Sequence, residues 1–125
     1  MLEIHARLED PSCRLLTLNG PGGIGKTRLA LEVARQQMRA FPDGVYFVPF
    51  APVESSEFLA QALAVRLELR PISHRDLLDQ VIYNLREKTL LLVIDNFEHL
   101  LAGANLLAKV LEESKHVKML VTSRE

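Results

Sequence analysis

The chain has 125 residues, of which 48% are hydrophobic and 25% charged, and this composition is that of a single globular domain with enough material for a core. Its formal net charge of −1 supplies no general attraction to nucleic acid or to anionic lipid. The longest purely aliphatic run, Leu90 to Ile94, is much shorter than a membrane span, and nothing in the sequence suggests a secretion signal. Cys13 is the only cysteine, which excludes an internal disulfide, and we expect it to be a buried, unreactive thiol. We expect a cytoplasmic location, with no direct contact between this segment and either nucleic acid or a membrane.

Short apolar runs alternate with helical patterns along the chain, which is typical of a parallel sheet whose strands are joined by crossover helices. We predict strands over residues 14–19, 45–50, 89–95 and 117–122. The helix after the first strand carries an apolar stripe that extends to Met38 and Phe41. Two more helical patterns precede the third strand, and residues 73–76 have capping-box spacing before the second of them. We expect the leucines of both stripes to lie in the core rather than on a partner-binding surface.

A phosphate-binding loop lies between the first strand and the helix that follows it. The segment matches G-x-x-x-x-G-K-[ST] in full and consists of Gly20, Pro21, Gly22, Gly23, Ile24, Gly25, Lys26 and Thr27. Its glycines let several backbone N–H groups approach phosphate oxygens closely, because no Cβ intervenes. The lysine places a positive charge against the outer phosphates, and the threonine hydroxyl can ligate Mg²⁺. The helix dipole favours the same anion, so the sequence predicts a nucleoside triphosphate site.

A second motif stands at the end of the third predicted strand, where an aliphatic run is followed by Asp95. Ligands of an α/β sheet gather at the carboxyl ends of the strands, so we expect Asp95 to lie beside the phosphate loop and to hold Mg²⁺ there, usually through a water. Many ATPases of this type place a second acid next, but this chain has Asn96, which cannot act as a base. Glu98 is the nearby candidate, although it could simply complement the dipole of the next helix. We therefore assign catalysis to Lys26, Asp95 and Glu98, and the sequence leaves turnover itself open.

The fourth predicted strand ends in three polar residues, Thr122, Ser123 and Arg124. This polar cluster would face the same crevice, since it also stands at the carboxyl end of a strand. A guanidinium fork can grip phosphate oxygens in two places. Arg124 is therefore a candidate for distinguishing a triphosphate from a diphosphate, and the alternative is a solvated arginine.

These three motifs together resemble the STAND class of signalling ATPases, close to the NB-ARC and AfsR-like regulators of bacteria. The resemblance is carried by Gly20 to Ala34, by Leu91 to Leu100 and by Val121 to Glu125. It implies a three-layer α/β P-loop NTPase fold of the additional-strand type, in which the fourth strand inserts between the first and the third and the strand order is 1-4-3-2. It also implies nucleotide contacts from the whole loop and from Arg28, and a γ-phosphate contact from Arg124.

The resemblance further implies a switch that is inactive with ADP and becomes competent, often as a homo-oligomer, when ATP replaces it. The family's Gly-Arg-Glu segment, fifth strand and helical lid are absent from residues 1–125. We therefore expect a partial NB-ARC-like domain, without a second domain, from a larger protein. Its first strand would lie at an exposed edge, which predicts marginal stability or self-association through that edge.

Three functions stay open on this evidence. The leading one is an ATP/ADP switch module with slow Mg²⁺-dependent hydrolysis, whose partners are the other domains of its parent protein. A nucleotide-binding scaffold without turnover is favoured by Asn96. A small-molecule kinase would need an acceptor-binding lid and a base, and residues 55–87 offer no obvious cluster of such groups. The sequence has no guanine-reading Asn-Lys-x-Asp run, which favours adenine.

Overall fold

The computed structural model describes residues 2–19, 24–49, 56–95 and 101–123. Helices and strands alternate along these segments. In chain order the elements are α1 (Leu2–Glu9), β1 (Leu15–Asn19), α2 (Ile24–Gln36), a 3₁₀ turn (Met38–Ala40), β2 (Val45–Pro49), α3 (Ser56–Arg66), α4 (Leu77–Leu85), β3 (Leu90–Asp95), α5 (Leu101–Glu113) and β4 (Val117–Ser123). No helix in the described segments is both long and apolar enough to cross a bilayer.

The four strands form one parallel sheet in the order β1-β4-β3-β2. The α/β fold and the strand order 1-4-3-2 are thus confirmed, and each described strand boundary lies within one residue of the predicted one. Because β4 inserts between β1 and β3, the strand before the phosphate loop and the strand that ends in Asp95 both border it. Position 50, the predicted last residue of β2, lies outside the described residues.

Helices cover both faces of the sheet, and this is why β3 is apolar from Leu90 to Ile94. Successive side chains of a strand point to opposite faces, so a strand covered on both sides needs a continuous apolar run. Leu90, Leu92 and Ile94 pack with α3, α4 and α5, whereas Leu91 and Val93 pack with α1 and α2. Leucines of the two predicted stripes lie in the first of these clusters, so the core interpretation of those stripes is confirmed.

The helix α1 has no counterpart among the predicted elements. Leu8 is buried in the α2-side cluster, and the Lys118 ammonium donates hydrogen bonds to the Leu8 carbonyl and, at 2.8 Å, to the Asp10 carbonyl. A cation at the C-terminal end of a helix is favourable, because the last carbonyls have no partner in the helix. An isolated helix of this length is not stable in water. Tertiary contacts therefore decide that α1 exists, and no local pattern reports them.

Three local predictions are wrong. The helix α2 ends at Gln36, so Met38 leaves the predicted stripe and is 59% exposed, although Phe41 is buried. Asp76 occupies the N-cap of α4 and forms no side-chain capping hydrogen bond, so residues 73–76 do not form a capping box. Cys13 is half-buried rather than buried, and β1, at the edge of the sheet, is only partly covered.

Arg14 fastens the end of α5 to the beginning of β4. Its Nε donates to the Val117 carbonyl at 3.0 Å, and one terminal nitrogen donates to the carbonyls of Leu111 at 2.9 Å and Ser114 at 2.5 Å. The last carbonyls of a helix lack intrahelical donors, so a guanidinium with several N–H groups is well suited to this place. The contact spans about one hundred positions of sequence and was not foreseeable from local pattern.

Gly44 makes the turn into β2 with a φ of 114°. Its N–H donates to the Phe41 carbonyl at 2.9 Å, and its carbonyl accepts from Leu91 N–H at 3.1 Å. A Cβ added here would lie 3.1 Å from the ring of Tyr46. Both the backbone conformation and the available space therefore favour glycine.

Glu68 ends α3 in the left-handed conformation, with a φ of 58°. The Leu69 N–H donates to the Ala64 carbonyl at 2.9 Å, and the Glu68 N–H donates to the Val65 carbonyl at 3.1 Å. These two bonds are those of a Schellman motif, in which glycine normally occupies the left-handed position. Glu68 thus fills a position that disfavours a side chain.

Candidate functional site

The candidate site stands at the carboxyl ends of β3 and β4, next to the beginning of α2. Asp95 continues the alternation of Leu91 and Val93, which face α2, and Thr122 continues that of Leu120 in the same way. The parallel register pairs Ile94 with Val121, so the next residue of each strand brings Asp95 beside Thr122. The sheet thereby presents a carboxylate and a hydroxyl, side by side, to the helix that begins with the phosphate-loop motif.

One oxygen of Asp95 accepts two hydroxyl hydrogen bonds. The Thr27 hydroxyl donates to Asp95 Oδ1 at 2.9 Å, and the Thr122 hydroxyl donates to the same oxygen at 2.6 Å. Both hydroxyls are donors here because a carboxylate only accepts. The contact between Thr27 and Asp95 joins the two sequence motifs across 68 positions of the chain. The predicted neighbourhood of the phosphate loop and Asp95 is therefore present in the structure.

Lys26 is directed to the same strand ends. Its ammonium donates a hydrogen bond to the backbone carbonyl of Ser123, the last residue of β4, and the lysine is half-buried. A lysine ammonium has three donors, so this bond is compatible with a second interaction with an anion. Lys26 of the phosphate-loop motif and Asp95 of the second motif thus both contact the end of β4.

Among the described residues, no atom fills the space beside Gly25 in the first turn of α2. Gly25 is exposed, its φ is not in the left-handed region, and within the described residues an added Cβ would meet no atom closer than 4 Å. Within the described residues, neither packing nor backbone conformation therefore explains a glycine at this position. An anion held closely by the backbone N–H groups of a helix N-terminus does explain it, because a Cβ would occupy that space.

The donor set of the site fits Mg²⁺ better than a softer metal. Thr27 and Asp95 offer a hydroxyl and a carboxylate, which are oxygen ligands. Across the described segments there is no group of three or more His, Cys, Asp or Glu side chains that could enclose a metal. Mg²⁺ keeps several waters and is typically bound by one or two protein groups together with substrate phosphates. The residues present fit that mode of binding.

Several predicted site residues lie outside the described residues, namely Gly20, Pro21, Gly22, Gly23, Glu98 and Arg124, and of Ile24 only the backbone is described. Arg28 is described and is exposed in the first turns of α2. The roles assigned to all of these residues remain predictions.

The individual roles of Thr122 and the Ser123 carbonyl were missed at the level of sequence. The sequence shows the polar cluster at the end of β4 but not which of its members faces Asp95. Strand side chains alternate with period two, so Thr122 lies on the same face of the sheet as Leu120. The sequence does not show that this is the face covered by α2. The backbone carbonyl of Ser123 has no sequence signal at all.

A parallel sheet with a glycine-rich phosphate-binding sequence between its first strand and a helix, and an aspartate at the end of the strand two places away, defines a P-loop nucleotide-binding domain. The family model described as "AAA domain" matches residues 9–123. The chain therefore belongs to the AAA domain family.

Two groups of mycobacterial proteins are similar to this chain. Proteins of Mycobacterium tuberculosis and Mycobacterium bovis named "Putative HTH-type transcriptional regulator" are 39% identical over 114 residues, which cover 90% of this chain and 13% of theirs. An uncharacterized protein of M. tuberculosis is 32% identical over 113 residues, 90% of this chain and 29% of that protein. The chain thus spans only a small part of the curated relatives it matches.

Solved structures show the same fold. The ORC2 protein of Aeropyrum pernix, solved as ADPNP–ADP complexes, superposes with a TM-score of 0.70 over 98% of this chain and 40% of its own, at 18% identity. The structure of Drosophila ORC bound to GC-rich DNA and Cdc6 gives a TM-score of 0.55 over 90% of this chain and 41% of that one, at 16% identity. At this level of identity the likeness concerns the fold alone.

Proposed function

We propose that this chain is the nucleotide-binding part of an ATP/ADP switch within a larger signalling or transcription-regulating protein, of the STAND class with NB-ARC and AfsR-like regulators. The observation that carries the proposal is the hydrogen bond between Thr27 and Asp95, because it joins the two residues that would hold a magnesium ion beside the phosphates. The 39% identity to proteins named as transcriptional regulators, of which this chain spans 13%, supports a multidomain parent.

Each described site residue has a part in this proposal. The Lys26 ammonium neutralises charge on the outer phosphates, and backbone N–H groups of the loop hold the phosphate oxygens. Thr27 and Asp95 hold Mg²⁺, which supplies positive charge opposite the charge that develops during phosphoryl transfer. Glu98 orients the attacking water, and hydrolysis is slow because Asn96, which takes no proton, stands where a second acid is common.

The switch requires a contact that ATP makes and ADP does not. A ligand shifts a conformational equilibrium only as far as its affinities for the two states differ. Arg124, one residue beyond the Ser123 carbonyl that binds Lys26, is the residue we propose for the γ-phosphate. Formation of a homo-oligomer in the ATP state, and coupling to other domains of the parent protein, would be the output.

Binding without turnover is the second candidate, because Asn96 stands where a catalytic acid is common. The variant Glu98→Gln separates the two functions. If Glu98 assists the attacking water, steady-state phosphate release falls about 100-fold or more, within the usual contribution of a general base. Unchanged phosphate release would favour the scaffold.

Calorimetry with ATP and ADP, each with Mg²⁺, tests the proposed site. We expect the unmutated chain to bind both nucleotides and the Lys26→Ala variant to lose binding. The matched control is Lys109→Ala. Lys109 is an exposed lysine in the C-terminal half of α5, and its ammonium lies 3.9 Å from the Asp79 carboxylate. Equal nucleotide affinity in the unmutated chain and in Lys26→Ala would contradict the proposal.

A further inference from the structure

Thr122 is a buried threonine in contact with the aspartate that we propose for magnesium. It is 2% exposed, and its hydroxyl donates to Asp95 Oδ1 at 2.6 Å, a shorter separation than the 2.9 Å from Thr27. Hydrogen bonds to a charged acceptor are roughly twice as strong as those between neutral groups. Thr122 therefore makes a strong contact inside the site, and it lies outside both the phosphate-loop motif and the motif that ends in Asp95.

The sheet fixes where this hydroxyl lies. Thr122 pairs with Leu18 of β1 on one side, and the register Ile94 to Val121 brings it beside Asp95 on the other. A central strand has little freedom to shift, and a β-branched side chain is stiff about χ1. The hydroxyl is thus held by the fold in a constant position, independently of the loop before α2.

The orientation of the Asp95 carboxylate, in contrast, is not fixed by the strand, so it depends on hydrogen-bond donors around it. Its terminal torsion is soft, and rotation of the carboxyl group would misplace the oxygen that faces a metal-bound water. Two donors on the same oxygen, one from α2 and one from β4, restrict that rotation. Removing a group that orients a metal ligand in this way typically lowers metal affinity by about 10- to 100-fold.

We infer that Thr122 is a positioning residue that holds the Asp95 carboxylate in place for the magnesium ion bound with the nucleotide. The inference rests on the proposed nucleotide site. It assigns to the end of β4 a role in metal affinity that is separate from phosphate recognition. A purely structural threonine, which only satisfies its own hydroxyl in the core, would affect stability but not magnesium selectively.

The test is a magnesium titration of nucleotide binding by the whole chain. Binding of a fluorescent ADP analogue is followed as MgCl₂ is raised, and the same affinity is measured in EDTA. The Mg²⁺ midpoint is the Mg²⁺ concentration that gives half of the maximal gain in nucleotide affinity. For Thr122→Val, which removes the hydroxyl and keeps the shape, we expect this midpoint to rise about 10-fold or more. The affinity in EDTA should stay within about twofold of the parent, because the phosphate contacts are untouched. Thr122→Ser, which restores a hydroxyl, should return the Mg²⁺ midpoint to near the parent value.

A double-mutant cycle asks whether Thr122 acts through Asp95. In an Asp95→Ala background the oxygen that accepts the Thr122 hydrogen bond is gone, so Thr122→Val should no longer change the Mg²⁺ midpoint. An additional shift of the same size in that background would overturn the inference. So would a Thr122→Val protein with an unchanged midpoint, or one that loses affinity equally with and without Mg²⁺.

The outcomes also separate this inference from the proposed function. If the unmutated chain binds no nucleotide, the proposed function fails and the inference fails with it. If the parent binds and Lys26→Ala does not, the site stands, and only the Mg²⁺ midpoint of Thr122→Val decides the role of Thr122. Should Thr122→Val fail to melt cooperatively, Thr122→Cys replaces it, because a thiol is of similar size and a much weaker donor.

Discussion

Replacing Gly25 by alanine should make the protein more stable and at the same time unable to bind nucleotide well. Gly25 is in the first turn of α2, it is exposed, its φ is ordinary, and among the described residues an added Cβ meets nothing within 4 Å. Alanine in a helix is favoured over glycine by roughly 0.5–1 kcal/mol. With an unfolding entropy of about 2.1 cal/mol/K per residue, that gain raises the melting temperature by about 2–4 °C.

The same methyl group would occupy the space where we expect phosphate. A hydrogen bond to a charged group contributes about 1.5–3 kcal/mol, so loss of a single backbone N–H contact weakens binding roughly 10- to 100-fold. Differential scanning calorimetry gives the stability, and titration with Mg²⁺–ADP gives the affinity. The variant should thus gain stability and lose nucleotide affinity, whereas a general disruption of the fold would lower both.

Gly44→Ala is the matched control. At φ 114°, with the Tyr46 ring 3.1 Å from the added Cβ, it should destabilise the fold by about 1–3 kcal/mol and leave nucleotide affinity unchanged below its melting temperature. A Gly25→Ala protein that melted below the unmodified protein, or that bound Mg²⁺–ADP as tightly, would refute a phosphate site at the start of α2.

Three further predictions concern stability. Arg14→Met removes the donors that bridge α5 and β4 and should lower the free energy of unfolding in urea by about 1–3 kcal/mol, while Arg14→Lys loses less. Glu68→Gly should stabilise by about 0.5–1 kcal/mol, because the left-handed conformation is easy for glycine, whereas Glu68→Ala should bring no such gain. Hydrogen bonds from Arg35, and then from Gln36, lower the pKa of Glu32 from 4.5 to about 2. Its contribution is therefore present above pH 4.5 and lost as the pH falls towards 2, so the melting temperatures of the parent and Glu32→Gln should converge over that window. Since Arg35 is exposed and Glu32 is partly exposed, the difference should be small and should shrink with added salt.

The sequence by itself determined the elements that depend on neighbouring residues. The G-x-x-x-x-G-K-[ST] spacing, the aliphatic run before Asp95 and the helical stripes are local patterns, and they place four strands to within one residue. They also predict a nucleotide site, because a polyphosphate needs glycines, a lysine and a hydroxyl in that order. The strand order 1-4-3-2 came from the resemblance, since strands of similar apolar composition do not specify their neighbours.

Tertiary structure alone decided the features that depend on distant contacts. Helix α1 is too short to form without Leu8 in the core and Lys118 at its end, and β1 is half exposed because it is an edge strand. The pairing of Thr122 with Asp95 follows from the register of β3 and β4, which brings together residues 27 positions apart. A local pattern shows which way a side chain alternates, but only the packed sheet shows which helix it faces and which residue of the next strand lies beside it.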